Sequence, residues 1–343
     1  MEPNAILAVN SLDRYNVANG QSAATTGDAL VAQYYNTGQP CNNFTIFSPG
    51  NLIYGYIKKI QISQIQLQYN VPTIVPDKND GLWIANAIQA DFVTIPYGFY
   101  TPAELAAGLE ILLNNTNVGF LCGGITVTYS SEDGFTFTSA GTGPQPEIAF
   151  PTLQEIETIT ASVLNYDAIQ NALRTYRLLG INVSNATLSV QQKSSNTPIF
   201  LYTPYVDICS EVLTKYQKIK DNTTSASSDS TLVARIFLSG EGTPQNTSGE
   251  VQIAGNPGEQ PIANTNYAYP LGSRPFIVVQ DCNSPKVIRW NKDETVYALD
   301  FQLRDQYGDL LFTQLGTYGG GGNTNPVYYS EFQMTLMCIE GKD

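Results

Sequence analysis

The chain contains no histidine. That absence removes Ser-His-Asp and Cys-His nucleophilic catalysis, histidine-ligated zinc, and the side chain that most often serves as general acid or base near neutral pH. Charge is scarce too: Asp, Glu, Lys and Arg make up 14% of the 343 residues, against roughly a quarter in an average soluble protein. Basic residues number 17 against 30 acidic ones, for a net charge of -13, and no basic run exceeds Lys58-Lys59. A nucleic-acid binder of this size would carry a basic stripe, so no direct nucleic-acid contact is expected. No apolar run approaches the length of a transmembrane helix. The opening Met1-Glu2-Pro3-Asn4 has no basic region leading into an apolar one, so a secretory signal is not expected either. The cysteines Cys41, Cys122, Cys209, Cys282 and Cys338 are odd in number, far apart and free of any Cys-x-x-Cys. That spacing suits reduced, buried thiols and not a four-cysteine zinc site. Sequons such as those at Asn182 and Asn246 are what an Asn- and Thr-rich chain generates by chance.

In place of charge the chain has Thr, Asn, Gln, Ser and 21 Tyr, a composition suited to strands and to broad, weakly charged contact surfaces. The stretch from Arg274 to Phe312 sets the architecture. Within Glu294–Arg304, Tyr297, Leu299, Phe301 and Leu303 share one parity, and Asp300, Gln302 and Arg304 hold the other. A period of two places the apolar set on one face of a strand. Asp305-Gln306-Tyr307-Gly308 ends the run where Gly308 can take the positive φ of a short hairpin, and Leu310–Phe312 restarts a strand. Consecutive strands with one buried face need a second sheet to cover them, which predicts a sandwich. Earlier, Ile60 and Ile62 keep one parity while Ile65, Leu67, Tyr69 and Val71 keep the other, which predicts a bulge near Ser63-Gln64. Strands are also predicted at Leu82–Ile84, Phe92–Ile95, Ile199–Cys209, Leu213–Ile219, Thr231–Leu238 and Tyr329–Ile339. Residues 1–45 are polar and aperiodic and are expected to form an arm.

The middle of the chain reads differently. Thr101-Pro102-Ala103-Glu104 combines an N-cap, a proline at the first helical position and the Glu of a capping box. Leu105, Leu109, Leu112 and Leu113 then line one helical face. A hairpin over Ile125–Phe137 turns at Asp133-Gly134, and a second helix over Tyr166–Leu179 stops at Gly180. With strands before and after, including Ala186–Gln191, the order β-α-β-β-α-β matches a ferredoxin-like α+β unit. The domains expected are an arm over 1–45, a β-sandwich from 46–90 plus 192–343, and an α+β insertion over 91–191.

Few constellations bear on chemistry. Gly319–Gly322 lacks the Lys-Ser/Thr of a phosphate loop and reads as a linker. Asp305 and Asp309 could pair around a cation, but turn formation explains them, as it explains Ser131-Glu132-Asp133-Gly134. Arg174 and Arg177 read as a solvated helix face. The loop Gly240–Gly272 is long enough to be exposed and functional. No catalytic, cofactor-binding or metal-ligating residue is assigned, and no enzymatic activity is expected.

Several short motifs carry a family resemblance. They are Thr94-Ile95-Pro96-Tyr97-Gly98-Phe99-Tyr100-Thr101 with Glu104-Leu105, Leu178-Leu179-Gly180, and Tyr205-Val206-Asp207-Ile208-Cys209-Ser210 with Leu213-Thr214. Others are Pro275-Phe276, Pro285-Lys286-Val287-Ile288-Arg289-Trp290 and Leu299-Asp300-Phe301-Gln302-Leu303-Arg304-Asp305. With these the chain resembles the penton, or minor capsid, proteins of virophages, polinton-like viruses and nucleocytoplasmic large DNA viruses. The resemblance implies a mainly β, antiparallel jelly-roll sandwich, here with an α+β insertion and a polar N-terminal arm. It also implies a virion location, a homopentamer at icosahedral vertices, and contact with major capsid subunits and with a host receptor or other minor capsid proteins. Alternatives are a trimeric double jelly-roll major capsid protein, a host-attachment or glycan-binding module using Gly240–Gly272, and a carboxylate-dependent glycosidase.

Overall fold

The structure, a computed structural model, describes residues 4–11, 40–47, 52–53, 57–141, 143–144, 146–149, 166–181, 191–194, 196–216, 231–238, 275–281, 287–290, 295–313 and 330–340. The chain runs through strands β1 (Asn4–Asn10), β2 (Asn43–Phe47), β3 (Ile57–Tyr69), β4 (Gly81–Ala85) and β5 (Ala90–Thr94). Helices α1 (Pro102–Asn114) and α2 (Asn117–Leu121) follow, then β6 (Ile125–Ser130), β7 (Gly134–Ser139), β8 (Glu147–Ala149), α3 (Tyr166–Leu179) and β9 (Gln191–Lys193). The last part holds β10 (Tyr205–Cys209), α4 (Glu211–Thr214), β11 (Leu232–Phe237), β12 (Phe276–Asp281), β13 (Val287–Arg289), β14 (Ala298–Arg304) and β15 (Glu331–Glu340). The described residues form two compact units, one up to Val71 and from Thr203 onward, the other Pro72–Tyr202.

The first unit is two antiparallel sheets with strand orders β1-β15-β3-β12 and β11-β10-β14-β2. Strands β12 and β13 lie end to end along one side of β3, opposite Tyr69–Gln64 and Gln61–Lys59, and act as one interrupted strand. Counted that way, one sheet takes the first, eighth, third and sixth strands of the unit, and the other takes the fifth, fourth, seventh and second. This is the strand order of a jelly roll, two Greek keys wrapped into a sandwich. Aromatic rings join the sheets: Phe332 of β15 lies 5.9 Å from Phe44 of β2 and 5.5 Å from Phe301 of β14, centroid to centroid.

Strict alternation drives this core. Along β14, Leu299, Phe301 and Leu303 are buried while Asp300, Gln302 and Arg304 stay half-exposed. Strand β3 alternates as well, and its parity changes where expected. Thr335 pairs with Gln64 and Leu336 with Ile62, so Ser63 is the extra residue of a bulge. Each fully buried Leu or Ile stabilises the sandwich by about 1.5–3 kcal/mol.

Of the N-terminal stretch expected as an arm, residues 12–39 lie outside the described residues, and the described parts at its two ends are strands. Asn4–Asn10 is the edge strand β1, in register with β15 over its whole length, and Asn43–Phe47 is β2. An edge strand of this kind turns only Leu7 and Val9 inward, too short an apolar pattern to stand out. Leu213–Ile219, expected as a strand, begins instead with the short helix α4, because Ser210 caps it. Leu310–Phe312 makes only an isolated bridge, between Leu310 and Arg304.

The second unit holds two three-stranded antiparallel sheets, β5-β4-β8 and β6-β7-β9. The ferredoxin-like pairing expected from element order does not form, since β4 pairs with β5 and β8 while β7 pairs with β6 and β9. Strands Gly81–Ala85 and Ala90–Thr94 belong to this unit, and the units part after Val71 and Tyr202, not at 91 and 191. The local helix signals hold. Thr101 Oγ1 accepts from Glu104 N–H at 3.3 Å and the Glu104 carboxylate accepts from Thr101 N–H at 2.8 Å, the two halves of a capping box. Gly180 ends α3 at φ +71°, where a Cβ would lie 2.2 Å from the Asn196 carbonyl oxygen. One core buries Leu82, Leu105, Leu109, Phe135 and Tyr176.

Candidate functional site

Among the described residues, polar side chains on the jelly-roll sheets form three groups that bear on the candidate site. The first is where β10 meets β14 and leads into α4. Asp300 points outward from β14, and its carboxylate accepts from Ser210 Oγ–H at 3.0 Å, Glu211 N–H at 2.8 Å and Val212 N–H at 2.9 Å. Ser210 Oγ in turn accepts from Leu213 N–H at 3.1 Å. The N–H groups that open a helix lack partners inside it. Here one carboxylate and one hydroxyl satisfy three of them, and negative charge at that end is favoured. Asp300 is therefore a clamp between strand and helix.

The second place is the outer face of β10 and β11. Arg235 donates two parallel hydrogen bonds to Asp207, at 2.7 and 2.8 Å, and its guanidinium stacks on Tyr205 at 3.9 Å from the ring centroid. Tyr205 meets Phe237 edge-on at 6.2 Å. The Asp207 hydrogen bond holds the Arg235 pKa above its ordinary value. Forked arginine–carboxylate pairing of this kind fixes geometry as well as charge.

The third place is the turn after β14. Asp305 is buried, and its Oδ1 accepts from Tyr307 N–H at 2.8 Å and Asp309 N–H at 3.0 Å. Gly308, at φ +83°, donates to the Asp305 carbonyl. Asp305 and Asp309 thus close a turn, as their residue types predict. No group of three or more potential metal ligands exists among the described residues.

In the second unit, Asp133 lies in the β6–β7 turn and pairs with Lys193 at 2.9 Å, both side chains about half-exposed. Arg174 is half-buried and Arg177 exposed along α3. Sequence reasoning missed the other side of that helix. Asn171 donates to Asp80 at 2.5 Å and accepts from Gly81 N–H at 2.9 Å, and Tyr176 Oη accepts from Trp83 N–H at 3.0 Å. A Cβ at Gly81 would meet the tip of the Phe92 ring at 2.3 Å, so a side chain there would have to displace that ring. Cys41, Cys122, Cys209 and Cys338 are buried thiols outside any disulfide. Cys282, Asn182, Asn246, Gly240–Gly272 and Gly319–Gly322 lie outside the described residues.

What remains exposed is a face. On the outside of the β1-β15-β3-β12 sheet, cross-strand register places Ile6, Met337, Gln61 and Val287 in one row, and Gln333, Gln66 and Val279 in another. Ile6 is 71% and Val279 56% exposed. Gln64 and Gln68 extend the same surface, which is broad, mostly uncharged and partly apolar. In the second unit Ile111 and Phe120 are exposed too.

No family model and no curated protein sequence matches the chain. Among solved structures it is similar to the mavirus penton protein, at 9% identity, over 98% of this chain and 99% of that chain, with a TM-score of 0.47. It is also similar to a chain of the Sputnik virophage structure determined by cryo-EM, at 9% identity, over 99% of both chains, with a TM-score of 0.41.

Proposed function

We propose that this chain is a structural protein of a viral capsid, and specifically a penton. Copies of the jelly roll assemble into a homopentamer at icosahedral vertices and contact the surrounding major capsid subunits. The observation that carries this reading is the jelly-roll strand order combined with a wide, weakly charged outer sheet face. A closed ring of identical copies needs a heterologous contact, in which one face of a subunit meets a different face of the next. Surfaces poor in charge and rich in amide and apolar groups lower the desolvation cost of such contacts. The chemistry of the polar clusters supports the same reading. Asp207, Asp300 and Asp305 each satisfy main-chain groups or an arginine at short distance, and so brace the sandwich.

The described part of the second unit, with its two small sheets and three helices, does not build a second roll, which weighs against a double jelly-roll capsid protein. The test is native mass measurement of the purified protein, followed by imaging of assembled particles. The expected result is a pentamer that occupies fivefold positions. A stable monomer that never enters particles would overturn the reading.

A further inference from the structure

The edge strand β1 carries an unusual connection. Its end is tied to β15, because Ser11 Oγ accepts from Phe332 N–H at 2.9 Å and donates to Glu331. The ring of that same Phe332 lies 5.9 Å from Phe44 on β2, the next strand of the roll. The end of β1 and the body of β2 therefore flank one residue, and a handful of residues would join them. The sequence instead places residues 12–39, twenty-eight in all, between Ser11 and Pro40. Fully extended, a chain of that length reaches about 90–100 Å, well beyond the width of a sandwich. Among the described residues strand β1 pairs on one side only, and it turns just Leu7 and Val9 toward the core, so little apolar burial holds it in place. The edge it covers on β15 is long and flanked by buried Phe332, Met334 and Leu336. Left bare, such an edge recruits another strand.

We propose that β1 is exchanged between copies of this chain: in the assembled oligomer it pairs with β15 of a neighbour in the register seen here. All contacts of β1 are kept, and the excess connection supplies the reach. This inference rests on the homo-oligomer read above. Exchange of an identical element costs no new interface and makes each copy depend on the next.

Ala8 lies directly opposite Thr335 on the outer face, which makes the exchange measurable. Protein carrying Ala8→Cys is mixed with protein carrying Thr335→Cys, unfolded and refolded together, oxidised with copper phenanthroline, and run on non-reducing gels. Unsubstituted protein treated identically controls for the native thiols. The expected result is a disulfide joining one chain of each kind, and a covalent ladder when both substitutions sit in one chain. An oligomer of the expected mass whose doubly substituted chains close only internal disulfides overturns the exchange and leaves the homo-oligomer standing. So do free thiols at both positions in such an oligomer. A protein that stays monomeric at every concentration removes both.

Discussion

Asp300 and the buried tyrosines show what single side chains contribute to the fold. The Asp300 carboxylate takes three hydrogen bonds across the β14–α4 junction. Replacing it with alanine leaves two helix N–H groups and the Ser210 hydroxyl to partial solvation. Asp300→Ala should lower unfolding free energy by about 2–3 kcal/mol, read as a drop in the urea midpoint, with Asp300→Asn losing roughly half as much because it keeps one acceptor oxygen. If Asp300→Ala unfolds like the parent, the clamp is incidental. Tyr69 and Tyr176 carry a different signature. Burial drives both phenols above their usual pKa of 10.0. In the unfolded chain a phenol releases its proton near pH ~10. Above that pH the folded state holds protons that the unfolded state gives up, so stability falls as pH rises. The contribution of these groups is whole below pH ~10 and is lost as pH climbs toward their folded values. Urea midpoints should therefore fall steadily above that point, and Tyr176→Phe should flatten the fall while losing the bond to Trp83 N–H at all pH values. A midpoint unchanged up to pH 11 would show that the phenols ionise without unfolding.

At the scale of elements, the bulge in β3 gives the sharpest test of what the sequence encodes. Ser63 is the extra residue between Ile62 and Ile65, so deleting it leaves strict in–out alternation on both sides. Deleting Gln66 instead inverts Leu67 and Tyr69 relative to Ile65 and drives apolar side chains outward. The Ser63 deletion should fold with a thermal midpoint lowered by a few degrees, whereas the Gln66 deletion should yield insoluble protein; equal solubility of the two would contradict the register. This contrast also explains which elements were legible beforehand. The alternation of Leu299, Phe301 and Leu303, the capping box at Thr101 and the stop at Gly180 are local signals, and the structure holds all three. Strand β1 was not legible because a single-sided edge strand needs only two inward residues. Helix α4 was misread because Leu213 lies in an apolar run, while the decisive partner of its first turn, Asp300, comes from 90 residues away. Strand pairing in the second unit was illegible for the same reason: β4 joins β8 across β5, α1, α2, β6 and β7, and element order does not specify long-range partners. The candidate clusters followed suit. Asp305 and Asp133 were recognised as turn residues from their neighbours, but Asp80 with Asn171, and Asp207 with Arg235, meet only through the fold.

For the whole molecule the governing quantity is its charge. Each copy carries -13, so any ring of identical copies gathers like charge at close range. The exposed sheet face itself contributes none of that negative excess: Gln, Ile, Val and Met make up most of it, and Lys59 and Arg289 near one end outweigh Glu331 near the other. Short-range contact and long-range repulsion therefore oppose each other, and salt acts on only one of them. Raising ionic strength shortens the screening length from about 30 Å at 0.01 M to about 8 Å at 0.15 M, which weakens repulsion between copies while leaving apolar burial intact. Self-association should accordingly strengthen with salt, the reverse of what attraction between oppositely charged patches would give. Sedimentation velocity at fixed protein concentration, in 20 mM and then 300 mM sodium chloride, should show the oligomer fraction rising with salt. Lowering the pH toward the isoelectric point near 4.4 should act in the same direction, because protonating carboxylates removes the repulsion at its source. An oligomer that dissociates as salt rises would mean that ion pairs hold the copies together, and the Gln- and Ile-rich middle of the sheet face would then not be the surface through which they meet.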